Sequence, residues 1–207
     1  MNSQHQFPSD HDWTLVRSAA GPDLRIFQVR YDVMKNPRNA AEIHATILEV
    51  PDWVTIVPVT PDGLIVMVEQ YRFGVEQTTL EIPGGVINPG EAPRAAAERE
   101  LREETGCTTA DWISLGWSHP NQAFQNNRCH HWCARNARST HSQALDEGET
   151  LTTHLLTPDD VRQAIRDGRV RSALVLLALS TVLTLWETSQ TPVTVRETLI
   201  GLDGGHV

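Results

Sequence analysis

Between residues 53 and 72 two apolar runs, "WVTIVPVT" and "LIVMVEQYR", flank the tripeptide "PDG". β-Branched runs joined through Asp62-Gly63 predict a hairpin. Upstream, "LRIFQVRYDVM" and "EIHATILEV" are rich in Ile, Val and aromatics, are broken by "KNPRN", and predict strands. Downstream, "TTLEIPGGVI", "WISLGWS" and "CHHWCAR" predict three more. Helical signals come in three places. Pro93 suits a first turn, residues 94–105 are good helix formers, and Gly106 stands where a helix ends in a left-handed glycine. Thr157 is the N-cap of the second, with Pro158, Asp159 and Asp160 in its first turn and Gly168 as its terminator. The third is "SALVLLALSTVLTLW", residues 172–186.

That last run tests a membrane reading. It holds 15 residues and is interrupted by Ser180, Thr181 and Thr184, whereas a spanning helix needs about 20 mostly apolar residues. It therefore reads as a buried core helix. The pattern divides the chain into a tail over 1–12, a strand-rich region over 13–50, a mixed α/β domain over 51–187 and a second tail over 188–207. No internal repeat is visible.

Charge narrows the partners. The net charge of −9 over 207 residues argues against nucleic acid, whose backbone is bound by clustered Lys and Arg. It leaves room for a small phosphate-bearing substrate, since a divalent cation can bridge carboxylates to phosphates. Three cysteines cannot all pair within one chain, and "MNSQHQFPSDHDW" has neither a basic start nor an apolar run. A reducing cytoplasm is the expected compartment.

The densest chemistry lies in "GGVINPGEAPRAAAERELREETG", residues 84–106. At 100° per residue, Glu100, Glu103 and Glu104 fall within an arc of about 100°. Like charges at this spacing destabilise an exposed helix by about 0.2–0.5 kcal/mol per pair. They are either a solvated acidic face or a platform for a hard cation, which takes oxygen ligands. Arg99 can reach Glu103, Arg102 can pair with Glu98, and Ala97 with Leu101 can face the core. The glycines at 84 and 85 let backbone approach closely.

The spacing is more informative than the charge. Gly85, five residues, Glu91, seven residues, then "RELREETGC" resembles the signature of the Nudix hydrolases, in which the last slot is aliphatic and is here Cys107. The resemblance implies an α/β/α sandwich with a mixed sheet, preceded here by an N-terminal antiparallel β extension. It also implies metal-dependent hydrolysis of a nucleoside diphosphate linked to another group. By the same resemblance, Glu100 and Glu104 hold metal, Glu103 is a ligand or helper, and the Gly84 carbonyl is a further ligand. Arg99 orients a carboxylate of the helix, Glu91 braces the loop, and Gly85, Glu91 and Gly106 are structural.

"PDWVTIVPVT", "LIVMVEQYR" and "LEIPGG" resemble the run before this box in the ADP-ribose pyrophosphatase branch, and the similarity covers residues 13–186. In that branch the N-terminal region exchanges with a partner, so a homodimer is implied. Acidic groups in the loop after the last strands match Glu147 and Glu149, one as general base and the other completing a metal site. Arg72 and Glu81 resemble substrate-pocket positions or else form a strand-end ion pair. Pro120, 14 residues after Gly106, matches the branch's proline, and His119 beside it could touch substrate. Where the branch shows "SPG", this chain has "HPNQAFQNNRCHH". The implied reaction converts ADP-ribose to AMP and ribose 5-phosphate with Mg2+, or Mn2+ in its place. Alternatives are another nucleotide sugar such as GDP-mannose, a dinucleotide, or a module that senses such a ligand without cleaving it.

Cys129, His131 and Cys133 alternate along a predicted strand and share a face. They read either as a packed strand or as part of a zinc site lacking an obvious fourth ligand. The six tryptophans read mainly as core or dimer contacts.

Overall fold

The computed structural model describes residues 12–145 and 147–190. Almost all of the two expected tails therefore lies outside the described residues. The chain divides into two compact units, one of residues up to Asp52 with His119–Arg128 and the other of Trp53–Ser118 with the residues from Cys129 onward.

In the first unit β1 (Thr14–Asp23), β2 (Gln28–Lys35) and β3 (Glu42–Glu49) form an antiparallel sheet in that order. Only Val29, Asp32 and Val33 of β2 are buried. Asp32 is held there by the Ser18 hydroxyl at 2.7 Å and by Arg30. The "HPNQAFQNNR" segment joins this unit: the Leu48 amide donates to Phe124 O at 2.7 Å and the Arg128 amide to Asp52 Oδ1 at 2.7 Å.

The second unit opens with β4 (Trp53–Val59), β5 (Ile65–Arg72), β6 (Gln77–Glu81) and β7 (Gly84–Val86). Helix α1 (Pro93–Thr105) follows, then β8 (Cys107–Thr108), β9 (Asp111–Ser118), β10 (Cys129–Arg135), β11 (Arg138–Ser139) and β12 (Leu151–Leu156). Two helices close it, α2 (Pro158–Arg166) and α3 (Ala173–Gln190). The main sheet runs β12-β5-β4-β10-β9, with β6 on β5 and β7 on β4. β10 lies parallel to β4, and the remaining pairs are antiparallel. The sheet is mixed.

Period two along β4 sorts its side chains into two cores. Val54 and Ile56 pack with Ala96, Ala97 and Leu101 of α1. Val57 and Val59 pack with Val161 of α2 and with Val175, Leu179 and Val182 of α3. One helix covers one face and two cover the other. Strands buried on both faces read as continuous apolar runs, and for that reason β4 and β5 are plain in the sequence.

Helix α2 carries the expected cap: the Asp160 amide donates to Thr157 Oγ1 and the Asp160 carboxylate accepts from the Thr157 amide. The core-helix reading of 172–186 holds. Val175, Ala178, Leu179, Val182 and Leu183 are buried at helical spacing, and among the described residues no helix is long and apolar enough to cross a membrane.

The strand β10 is packed in the manner of the first of its two readings. His131 is 2% exposed, and its Nδ1 meets Thr55 Oγ1 at 2.7 Å while Nε2 meets Ser118 Oγ at 2.8 Å. Cys129 and Cys133 are buried and in no disulfide. Burial, helped by the charge of His130, holds the His131 pKa below its ordinary 6.5. The native state thus binds fewer protons than the unfolded chain, so this contribution is complete above pH 6.5 and is lost as pH falls through the native value. The stability of the unaltered protein relative to His131→Gln, read from paired thermal melts, should fall between about pH 7 and about pH 5, by at most about 1.4 kcal/mol per pH unit. A difference that does not change with pH would assign the acid sensitivity elsewhere.

Candidate active site

The site begins at the β6–β7 turn. Gly84 and Gly85 pair with Thr55 and Val54 of β4. A Cβ on Gly84 would come 2.3 Å from Val54 O, and one on Gly85 would come 2.3 Å from Glu100 Oε1. These two positions need hydrogen because β4 and the α1 carboxylates close on the turn from either side.

Helix α1 supplies those carboxylates. Glu100 is 8% exposed and Glu104 4%, so these two lie under β7 rather than on a solvated face, while Glu103 stays half-buried. Arg99 binds them together. Its fork donates to both oxygens of Glu91 at 3.0 and 2.9 Å, to Val86 O at 2.9 Å, to Glu100 Oε1 at 2.7 Å and to Glu103 Oε2 at 3.1 Å. Glu91 also accepts from the Asn88 amide at 3.0 Å, which ties the loop before the helix to the same guanidinium. Glu98 pairs with Arg94 at 2.9 Å instead of with Arg102. Both partners lie four residues from Glu98, and Arg102 instead lies 3.9 Å from Glu103.

Electrostatics distinguish the glutamates. Arg99, with the Asn88 amide, pulls the Glu91 pKa down. Burial raises Glu100 against the opposing pull of Arg99. Glu104 accepts from the Gly84 amide at 2.9 Å, a neutral donor. Burial, with Glu100 and Glu149 adding negative potential, pushes its pKa up to about 8. A carboxyl at that value is mostly protonated near neutrality and is short of positive charge.

These groups surround a cavity of about 460 Å3. Glu100, Glu103 and Glu104 line one wall, with Gly84 and Gly85 beside them. Arg72 and Glu149 line it as well. Arg72 also makes the expected ion pair, donating to Glu81 at 2.9 and 2.8 Å. Burial disfavours the Glu81 charge, but Arg72 and Thr79 outweigh it and keep the pKa low. The strand-end pair and the cavity position are thus features of the same arginine.

The structure separates the two loop acids. Glu149 is half-buried and lines the cavity, whereas Glu147 is exposed on a turn and does not. His119, whose Nδ1 lies 3.2 Å from Asn127 O, and Pro120 both belong to the other unit. Gln70, Asn88 and Ala144 also line the cavity. Gln70 was accessible from period two, being two residues before Arg72 on β5; nothing in "RNARSTHSQAL" marks Ala144.

Among the described residues no three acidic, histidine or cysteine side chains already stand at ligating distance from one point; Glu100 is turned to Arg99 and Glu104 to the Gly84 amide. The donor set nevertheless fits a hard divalent cation. It is all oxygen, it contains a buried carboxyl deficient in positive charge, and it opens on a cavity.

A NUDIX domain model matches residues 51–177. The methanol dehydrogenase activator of Bacillus methanolicus is 32% identical over 158 residues, covering 75% of this chain and 84% of that protein. The ADP-ribose pyrophosphatase of Bacillus subtilis (strain 168) is 31% identical over 134 residues, covering 64% and 72%. A crystal structure of an ADP compounds hydrolase superposes with a TM-score of 0.77 over 86% of this chain and 96% of that one, at 22% identity. That last likeness is one of fold.

Proposed function

The chain belongs to the NUDIX domain family, and from that premise we propose that it hydrolyses the pyrophosphate bond of ADP-ribose or a close ADP compound, using Mg2+. The observation that carries the reading is the cavity in which Glu100, Glu103, Glu104 and Glu149 meet beside Arg72 and Arg99. The relatives named for ADP-ribose and ADP compounds support the substrate.

Glu100 and Glu104 would hold the cation, with Glu103 and the Gly84 carbonyl available beside them; Mn2+ has the same ligand preference. When bound, the cation neutralises phosphate oxygens and so makes phosphorus accessible to water. The remaining chemistry belongs to this chain. Glu149, the acid of its loop that lines the cavity, takes a proton from the attacking water. The new P–O bond forms as the bond to the bridging oxygen breaks, giving AMP and ribose 5-phosphate. Arg99 keeps Glu100 and Glu103 at fixed positions, and Arg72, anchored by Glu81, presents a guanidinium edge to the substrate's phosphates. Positioning and electrostatics carry the rate.

The substrate assignment is tested by kcat/KM with Mg2+ over a panel of ADP-ribose, GDP-mannose, dinucleotides and nucleoside triphosphates. ADP-ribose should exceed the triphosphates by about 100-fold or more. A triphosphate in front would remove the chain from this branch, and no turnover of any compound would leave the sensing reading.

A homodimer through the strand-rich N-terminal region is part of the same proposal. Exposed Leu15, Val16, Tyr31 and Ile43 on its sheet support it. Light scattering at micromolar concentration should give twice the chain mass, and a monomer would contradict it. The three buried cysteines outside any disulfide suit a reducing cytoplasm, which cell fractionation would check.

A further inference from the structure

The last turn of an α-helix leaves its final carbonyls without intrahelical partners. In α1 they are taken up in an unusual way. Arg102 O accepts from the Gly106 amide at 2.9 Å, the ordinary left-handed glycine cap. Glu103 O accepts from the Ala144 amide at 2.9 Å, and Glu104 O accepts from Gln143 Nε2 at 2.6 Å. One residue beyond the helix, Gly106 O accepts from the Thr140 and His141 amides at 2.9 and 3.0 Å. Thus the segment 140–144 lies against the end of the helix that carries the carboxylates. A Cβ on Gly106 would stand 2.1 Å from His141 O, so this glycine serves the crossing segment as well as the helix cap.

The same segment leads to Glu149. On its far side β12 begins at Leu151, paired with Gln70 of β5, and Gln70 itself lines the catalytic cavity. Of the described residues on either side of Glu149, Ala144 is held by the Glu103 carbonyl and Leu151 by the sheet, and anchoring nearby points limits the freedom of a short stretch of chain. Of the two anchors at the helix, the Ala144 contact is backbone and independent of residue type, whereas the Gln143 contact depends on a side-chain amide.

We infer that Gln143 is a positioning residue that, by donating to the Glu104 carbonyl at the end of α1, fixes the loop whose Glu149 carboxylate faces the catalytic cavity. The inference rests on the hydrolase reading for Glu149 and adds to it the device that places this group. Gln143 does not itself line the cavity. Its side chain spans from the loop to a carbonyl of the very residue whose carboxylate is turned to Gly84, so one hydrogen bond links the loop of the base to the cation platform.

Gln143→Met keeps side-chain length and removes the donor, and it is compared with the unaltered full chain. Two quantities are read: amide hydrogen exchange over residues 147–151 in EDTA, and kcat and KM for ADP-ribose with Mg2+. Exchange should quicken by roughly 10-fold or more as the loop loses an anchor. kcat should fall by roughly 10- to 100-fold, the scale set by displacing a reacting group about 1 Å, with KM within about 3-fold. The melting temperature should stay near that of the unaltered protein, because Gln143 is itself exposed and only one hydrogen bond is lost. Unchanged exchange overturns the tether, and faster exchange with unchanged kcat overturns its positioning role. A rise in KM alone would also overturn it. Should the unaltered protein turn over no nucleotide at all, the hydrolase reading fails, and the exchange result still decides whether Gln143 holds the loop.

Discussion

Glu104→Gln should abolish nearly all hydrolysis and yet stabilise the metal-free protein at alkaline pH. The first half follows from losing an anionic oxygen in the cation platform; a loss of about 10²- to 10³-fold in kcat is the scale for removing one preorganised group from such a site. The second half follows from burial. Glu104 is 4% exposed and its pKa is pushed up to about 8 against an ordinary value of 4.5. Between these values the native state binds more protons than the unfolded chain, so native stability declines as pH rises from about 4.5 to about 8. The full decline is on the order of a few kcal/mol. Glutamine carries no charge to bury and can still accept from the Gly84 amide. Melting temperatures in EDTA from about pH 5 to about pH 8 should therefore fall for the unaltered protein and stay flatter for the variant. Glu100, also raised by burial, keeps the variant from being wholly flat. Added Mg2+ should restore the unaltered protein at the alkaline end by binding the native state alone. Parallel profiles would mean that Glu104 is ionised at no cost, and with that the reason for a cation at this point would go.

Arg99→Ala should be the most destabilising single change in the site. Removing the guanidinium leaves Glu91 and Glu103 without their shared donor and strands Glu100, whose side chain is 11% exposed. Breaking a buried ion pair from one side typically costs about 3–5 kcal/mol, and partial exposure of Arg99 points to the lower end, about 3 kcal/mol. The urea midpoint should drop accordingly. Arg99→Lys keeps the charge but cannot hold Glu91 with two parallel bonds, reach Val86 O and still serve the α1 carboxylates, so it should recover only part of the loss. Raising Mg2+ should rescue Arg99→Ala more than it helps the unaltered protein, because a cation relieves the same carboxylates. A loss of unfolding free energy below about 1 kcal/mol would show that the five contacts are dispensable.

The parts of this molecule that were plain in the sequence are those where one physical demand fixes the residue type. β4 and β5, buried on both faces, admit only apolar runs. Thr157-Pro158-Asp159-Asp160 can cap a helix and do little else. The box from Gly85 to Gly106 combines close backbone approach, an arginine fork and three carboxylates, and its spacing identifies the family before any coordinates. Where several residues could serve, the sequence was silent. "LTTHLL" has three polar residues in six and carries no strand alternation clear enough to mark β12, which lies at the sheet edge. Glu98 had an arginine on either side and took Arg94. "HPNQAFQNNR" contacts chain 76 residues away through backbone groups and short polar side chains, which leaves no periodic trace. Glu147 and Glu149 are two residues apart with the same chemistry, and only the fold separates them.

The most direct test is the formation of AMP and ribose 5-phosphate from ADP-ribose by the full chain, followed with Mg2+, after EDTA, and after Mg2+ is returned in excess. Product should form, stop with chelation and resume with the cation, and Glu104→Gln should give almost none in any of the three conditions. Product formation that continues undiminished in EDTA, or at an equal rate in Glu104→Gln, would contradict a mechanism built on the α1 carboxylates and a divalent ion.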